Sequence, residues 1–304
     1  MQAELTLPIP AERPSFDKLL GFGALGVTLL IWAAFFLSLR AGAKSHLAPE
    51  ELALVRFGPA GLVFLPVLVS RWRRILAVPP LTLLSIFAGA GLPYFLVAGM
   101  GMRHAPVADG STMIPGTLPL FISLIGLLGY RQRLSRGRMV ALAMITLGVL
   151  GLVWLRPSES HLGQGYALFL LGSAMWSNFT LGLRRSGLTA VEGAAVISTT
   201  SLVCLLGWML FHPPVGLLQL PISALLFHGA VQGVGVGLAS TLCYAFAISK
   251  LGPERAGTAG ALTPVLASLM AVPLFGEVPG TVSVVAMLLI VTGVILANRP
   301  ASAR

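Results

Sequence analysis

Residues 105–132 read APVADGSTMIPGTLPLFISLIGLLGYRQ, and residues 252–277 read GPERAGTAGALTPVLASLMAVPLFGE. The stretches lie about 145 positions apart. Three landmarks keep that spacing: Pro119 with Pro264, Gln132 with Glu277, and Gly148 with Gly293. Each stretch is a helix-length apolar run, rich in small residues, with proline inside it and a polar end. A helix apolar on every side has no face to offer water. In lipid such a run is stable, and Pro115, Pro119 and Pro264 are expected as kinks, because neighbouring helices re-satisfy the carbonyls that proline frees. The pair marks a duplicated membrane protein.

The whole chain supports this. Of its 304 residues, 56% are hydrophobic and 10% charged, where soluble domains carry roughly a quarter charged residues. Apolar runs lie at about 19–40, 49–70, 79–102, 106–129 and 135–155, and again at about 163–184, 190–211, 221–249, 254–276 and 279–297. Most approach the ~20 residues a helix needs to cross ~30 Å of hydrocarbon. The first run, Leu19 to Leu39, is too long for the core of a signal peptide and is expected to remain as a span, although Ala41-Gly42-Ala43 imitates a cleavage site. The fold class expected is an all-α integral membrane protein with ten transmembrane helices in two five-helix repeats. Residues 1–18 and 298–304 form tails, 19–155 the first repeat and 163–297 the second.

The net charge of +10 is distributed as a topology signal. With the N-terminus inside, fifteen Lys and Arg fall on inner segments, crowded at 71–74, 131–138 and 184–185, against four outside: Arg40, Lys44, Arg103 and Arg156. That asymmetry places both termini in the cytoplasm of a multi-pass protein of the inner membrane. A nucleic-acid partner would need the basic residues gathered on a soluble domain, so none is expected. Five spans per repeat, an odd number, force the second repeat to enter from the opposite side. Inverted repeats with interrupted helices are the architecture of alternating-access carriers.

Motifs at the start of each half agree. Trp32-Ala33-Ala34-Phe35 aligns with Trp176-Ser177-Asn178-Phe179, Leu54-Val55-Arg56-Phe57 follows in the second span, and Gly276-Glu277 closes the ninth. These resemble the W-G-S-N-F, L-x-R-F and G-E motifs of the drug/metabolite transporter superfamily, EamA type. The resemblance covers about residues 19–297. Ala34 stands where that family often has Asn, and Arg131-Gln132 where it has Gly-Glu. The resemblance implies ten helices and transport of small metabolites, often export of amino acids. One member group, the YddG-type exporters of aromatic amino acids, is a candidate relative that the sequence does not separate from its neighbours.

Polar and aromatic residues within the spans are the pathway candidates, because an unpaired polar group in hydrocarbon is costly and faces a cavity or a partner helix. Trp32 and Trp176 sit at matching depths, Asn178 two residues beyond the second, and Tyr94 follows a proline in the third span. His228 and Gln232 are four apart in the eighth span, followed by Tyr244. The fourth span opens on Asp109, Ser111 and Thr112, and the ninth offers Thr258. Asp109 is expected to cap its own helix, where the dipole favours a carboxylate. Arg56, well inside its span, is expected to snorkel outward or to pair with Glu50 or Glu51, with a substrate carboxylate as the alternative. Cys204 and Cys243 read as small buried hydrophobes.

No acidic residue lies mid-span, which points to uncoupled or weakly proton-linked transport. Neither H-E-x-x-H nor G-x-S-x-G is present, so no catalytic residue, metal or cofactor is expected and an intramembrane enzyme ranks low. No repeated filter segment suggests a channel. A cavity lined by Trp, Tyr, Asn and hydroxyls with little fixed charge suits an amino acid or similar small metabolite. A drug, nucleotide or sugar derivative is the alternative cargo. The partners expected are therefore a small-molecule substrate and the lipid bilayer.

Overall fold

The computed structural model describes residues 16–130, 134–155 and 161–298. The N-terminal tail up to residue 15, Arg131, Gln132, Arg156 and residues 299–304 lie outside the described residues.

Among the described residues every regular element is helical. In chain order they are α1 (Phe16–Lys44), α2 (Pro49–Ser70), α3 (Trp72–Leu76), α4 (Pro80–Ala90), α5 (Leu92–His104), α6 (Val107–Gly116), α7 (Leu118–Tyr130) and α8 (Arg136–Trp154). The second half continues with α9 (Leu162–Ser186), α10 (Ala190–Met209), α11 (Val215–Gln219), α12 (Ile222–His228), a π-helical stretch at Gly229–Ala239, and α13 (Ser240–Leu251). Then come α14 (Pro253–Ala259), a 3-10 turn at Gly260–Leu262, α15 (Thr263–Phe275) and α16 (Thr281–Ala297).

Among the described residues eight helical runs are long and apolar enough to cross a membrane, and α16 is a shorter apolar helix of 17 residues. α9, though 25 residues long, is more polar than these, because Gln164, Ser173, Ser177, Asn178 and Thr180 interrupt it and Arg184-Arg185 ends it. The large exposed apolar side chains, among them Leu62, Val140, Leu206 and Leu288, lie on these same helices, as lipid-facing residues would.

Local chemistry sets the helix ends. Pro49 opens α2, and Glu51 reaches back to the Ala48 N–H at 3.1 Å. Thr189 and Glu192 form a reciprocal capping box at α10. α9 and α15 stop at Gly187 and Gly276, whose φ angles of 66° and 67° suit glycine. The expected proline kinks resolve into breaks. Pro115 precedes the break at Thr117, Pro119 stands in the first turn of α7, and Pro264 in the first turn of α15 after the 3-10 turn. Pro59, Pro66 and Pro273 also lie inside helices, and a further break falls at Gly91.

α8 and α16 pack across each other with a symmetry visible residue by residue. A Cβ on Gly148 would lie 2.6 Å from Ile290 Cγ1 and 3.0 Å from the Ala286 carbonyl. A Cβ on Gly293 would lie 2.7 Å from Ile145 Cγ1 and 2.9 Å from the Ala141 carbonyl. Each residue of one set stands about 145 positions from its counterpart, so the repeat offset read in the sequence is also a packing offset. The glycines let the two backbones approach.

The core is unevenly distributed along the bundle. One large cluster joins Leu37, Leu39, Leu52, Phe57, Phe95, Met102, Val107, Leu152, Phe169 and Ile290, drawing on the ends of helices that meet near residues 45–48, 105–107 and 276–280. The opposite end holds two separate clusters. One is Ile75, Val78, Ile86, Leu188 and Val196; the other is Leu25, Ala247, Leu251 and Ala256. We refer to these as the sealed end and the split end. At the split end, Arg74 reaches the Gly187 carbonyl and Glu192 within the first cluster, and Lys250 pairs with Asp17 beside the second.

Candidate functional site

α1 and α9 open the two halves, and their tryptophans find equivalent partners. The Trp32 ring packs on Tyr244 at 5.0 Å between centroids, and Trp176 packs on Tyr94 at 4.9 Å, tilted by 53° and 59°. Each tryptophan thus meets a tyrosine from the opposite half. Trp32 also faces Gly260, at the break where α14 gives way to α15.

Tyr94 leads into a phenylalanine cluster. Phe95 packs on Phe57 at 5.8 Å and on Phe35 at 6.2 Å, and the Arg56 guanidinium lies over all three rings at 5.2–5.8 Å. Arg56 Nη1 is buried and has no hydrogen-bond partner among the described residues. This corrects the expected role of Arg56: the side chain neither snorkels nor pairs with Glu50 or Glu51. Glu51 is engaged elsewhere, accepting from the backbone N–H groups of Ala48 and Gly216, while the apolar stem and cation–π contacts hold Arg56 inward.

Gln232 and His228 join the same region. Gln232 Nε2 donates to the Phe35 carbonyl at 3.5 Å, while its Oε1 has no partner among the described residues. His228 Nδ1 and Ser38 Oγ share a hydrogen bond of 2.8 Å. The structure therefore brings Tyr94, Trp176, Arg56, Gln232 and His228 into one neighbourhood, with Trp32 and Tyr244 joined to it through α1 and the eighth run.

The remaining candidates lie elsewhere. Ser111 and Thr112 turn back onto the Ala108 carbonyl inside α6. Asn178 is exposed and Thr258 half-buried, apart from the phenylalanine cluster. Asp109 stands in the first turn of α6, as expected, and its carboxylate also accepts from Tyr166 of α9 at 2.8 Å and Ser283 of α16 at 3.0 Å. It ties the two halves together at the sealed end. Cys204 is exposed, not buried, and Cys243 is half-buried.

The main feature missed in the sequence is a lock at that end. Glu277 accepts from Arg40 Nε at 2.7 Å and from the Val107 N–H at 3.1 Å, with Lys44 Nζ at 3.3 Å. Arg40 also donates to the Met102 carbonyl at 2.6 Å. Burial raises the Glu277 pKa, but the Val107 N–H, Arg40 and Lys44 outweigh it and hold the carboxyl below its usual value. Beside this lock a cavity of about 570 Å³ is lined by Arg103, His104 and His161 as well.

Comparison with known proteins now decides the family, because the model of the EamA-like transporter family matches twice, at residues 19–154 and 163–299. The chain belongs to the EamA-like transporter family. It is 27% identical over 292 residues to the uncharacterized inner membrane transporter YedA of Escherichia coli K12, covering 90% of this chain and 89% of that one. YedA sequences from strains CFT073 and O157:H7 match equally. A solved crystal structure, 20% identical, superposes with a TM-score of 0.60 over 92% of this chain and 96% of its own, and shares the fold. This EamA-like chain is a multi-pass protein of the inner membrane with a transporter's role.

Proposed function

We propose that the protein is a secondary carrier that exports small metabolites, amino acids foremost, by alternating access, uncoupled or weakly linked to protons. In this reading the chain crosses the membrane ten times in two inverted halves, with both termini in the cytoplasm. The observation that carries the reading is the uneven core: one continuous cluster at the sealed end and two separate clusters at the split end. Alternating access needs one face closed by packing while the other can part, and one continuous cluster opposite two separate ones supports that reading. Arg71, Arg73 and Arg74, with Arg184 and Arg185, lie beside the first of the two separate clusters, which supports a cytoplasmic orientation of the split end.

The paired aromatics Trp32–Tyr244 and Trp176–Tyr94 suit an apolar or aromatic solute, and the scarcity of fixed charge disfavours sugar phosphates. The test is counterflow in proteoliposomes against labelled amino acids, sugar phosphates and nucleotide sugars. Exchange of amino acids, competed by aromatic ones, is the expected result. Exchange confined to the sugar or nucleotide derivatives would move the substrate class, and no exchange of any solute would remove the carrier reading.

A further inference from the structure

Arg56 is the one Lys or Arg placed in the body of an apolar run. Its guanidinium is surrounded by Phe35, Phe57 and Phe95, and Nη1 is buried without a hydrogen-bond partner among the described residues. A cation in such a shell is expensive to hold. The rings offset part of that cost through their negative faces, but they satisfy none of the N–H donors. The residue keeps some exposed surface, but Nη1 itself is closed off, so the donor meets a solute when the surrounding rings shift during transport. A second unpartnered group adjoins it: Gln232, anchored on the carbonyl of Phe35, leaves Oε1 unmatched.

The geometry points to Arg56 as the carboxylate-binding residue of the transported solute. Resting on the carrier reading above, this names the cargo class: a small molecule with one carboxylate and an apolar or aromatic remainder. Its carboxylate takes the unpaired guanidinium donor, and its apolar part lies against the phenylalanines and the Tyr94–Trp176 pair. Guanidinium is the group that best matches a planar carboxylate. One positive charge balances one carboxylate, whereas a phosphate dianion would bring a second charge with nothing to neutralise it. Gln232 Oε1 is the acceptor for an ammonium group if the solute carries one.

The test is counterflow in proteoliposomes with L-phenylalanine, 3-phenylpropionate, phenethylamine and glucose 6-phosphate, on the wild type and on Arg56→Gln and Arg56→Lys. The expected result is exchange of one or both carboxylates without phenethylamine. In Arg56→Gln the apparent affinity should fall by about tenfold or more, as loss of a charge-assisted bond implies, with partial rescue in Arg56→Lys at equal yield and monodispersity. L-Phenylalanine alone identifies an amino-acid cargo; both carboxylates identify a broader monocarboxylate carrier. Arg56→Gln exchanging like wild type, or phenethylamine exchanging as well as the acids, overturns the assignment and leaves the carrier standing. Exchange of the phosphate ester alone does the same. A wild type that exchanges none of the four overturns the assignment together with an aromatic or carboxylate cargo.

Discussion

Glu277→Gln should open the sealed end. The carboxylate lies 2.7 Å from Arg40 Nε, with side-chain exposures of 15% and 18%, so the pair is largely shielded from solvent. A hydrogen bond to a charged group of this kind contributes about 1.5–3 kcal/mol. Lys44, at 3.3 Å but 44% exposed, is screened and adds only about 0.3 kcal/mol. Glutamine keeps a carbonyl for the Val107 N–H and loses the charge, so roughly 2 kcal/mol of sealed-state preference disappears. That shifts the balance between sealed and open forms by about 30-fold.

The reporter is Val107→Cys, a fully buried position whose backbone N–H is unaffected, in a background with Cys204 and Cys243 replaced by serine. A membrane-impermeant maleimide added outside intact cells should label it slowly with Glu277 in place and much faster with Glu277→Gln. Arg40→Gln should reproduce the effect. Labelling that stays at the parental rate in both variants, with the protein still folded, would refute the lock.

The same lock has a pH dependence of definite sign. Because Glu277 is held below its usual value, its contribution to the sealed state is full above the ordinary glutamate pKa of ~4.3 and is lost as external pH falls through the depressed value; Val107→Cys labelling, normalised to a solvent-exposed cysteine at the same pH because only the thiolate reacts, should rise only in that acid window. Gly148→Ala and Gly293→Ala should each lower thermal stability by about 1–3 kcal/mol through overpacking, and by similar amounts, since each places a methyl against the equivalent isoleucine and carbonyl; a large inequality would count against the symmetric crossing. Tyr166→Phe should lower stability by about 1–3 kcal/mol by removing a buried donor to Asp109, measured as a fall in melting temperature, and an unchanged value would show that the bond contributes nothing. Gln232→Leu removes a buried acceptor with no partner together with a long 3.5 Å donor contact to the Phe35 carbonyl, so the two effects offset and stability should stay within about 1 kcal/mol of wild type. It should also narrow the preference for L-phenylalanine over 3-phenylpropionate in competition; an unchanged ratio would exclude an ammonium contact.

The duplication was legible because it is written along the chain. Gly148 and Gly293 keep the repeat offset in sequence and in packing, since a helix crossing needs a small residue at a fixed place on each partner. Trp32 and Trp176 could be matched for the same reason. What spacing cannot convey is which distant group meets which. Glu277 looked like the polar end of a span, and its meeting with Arg40 across 237 positions is visible only in the folded bundle. Asp109 stands in the first turn of α6 where a cap would, but spacing alone does not show that Tyr166 of α9 and Ser283 of α16 donate to it. Arg56 had carboxylates one or two turns away in Glu50 and Glu51, but Glu51 was already committed to two backbone donors.

The π-helical stretch Gly229–Ala239 gives the eighth run a mechanical character of its own. It is tied to α1 at three places, by His228 on Ser38 before the stretch, by Gln232 on the Phe35 carbonyl within it and by Tyr244 on Trp32 after it. Between the outer two ties lie eleven residues wound more widely than an α-helix, four of them glycines. Spare winding is slack, and here it is pinned near its middle by Gln232. A rod wound this way has turns to give up before it must pull on its far end, which an uninterrupted helix does not.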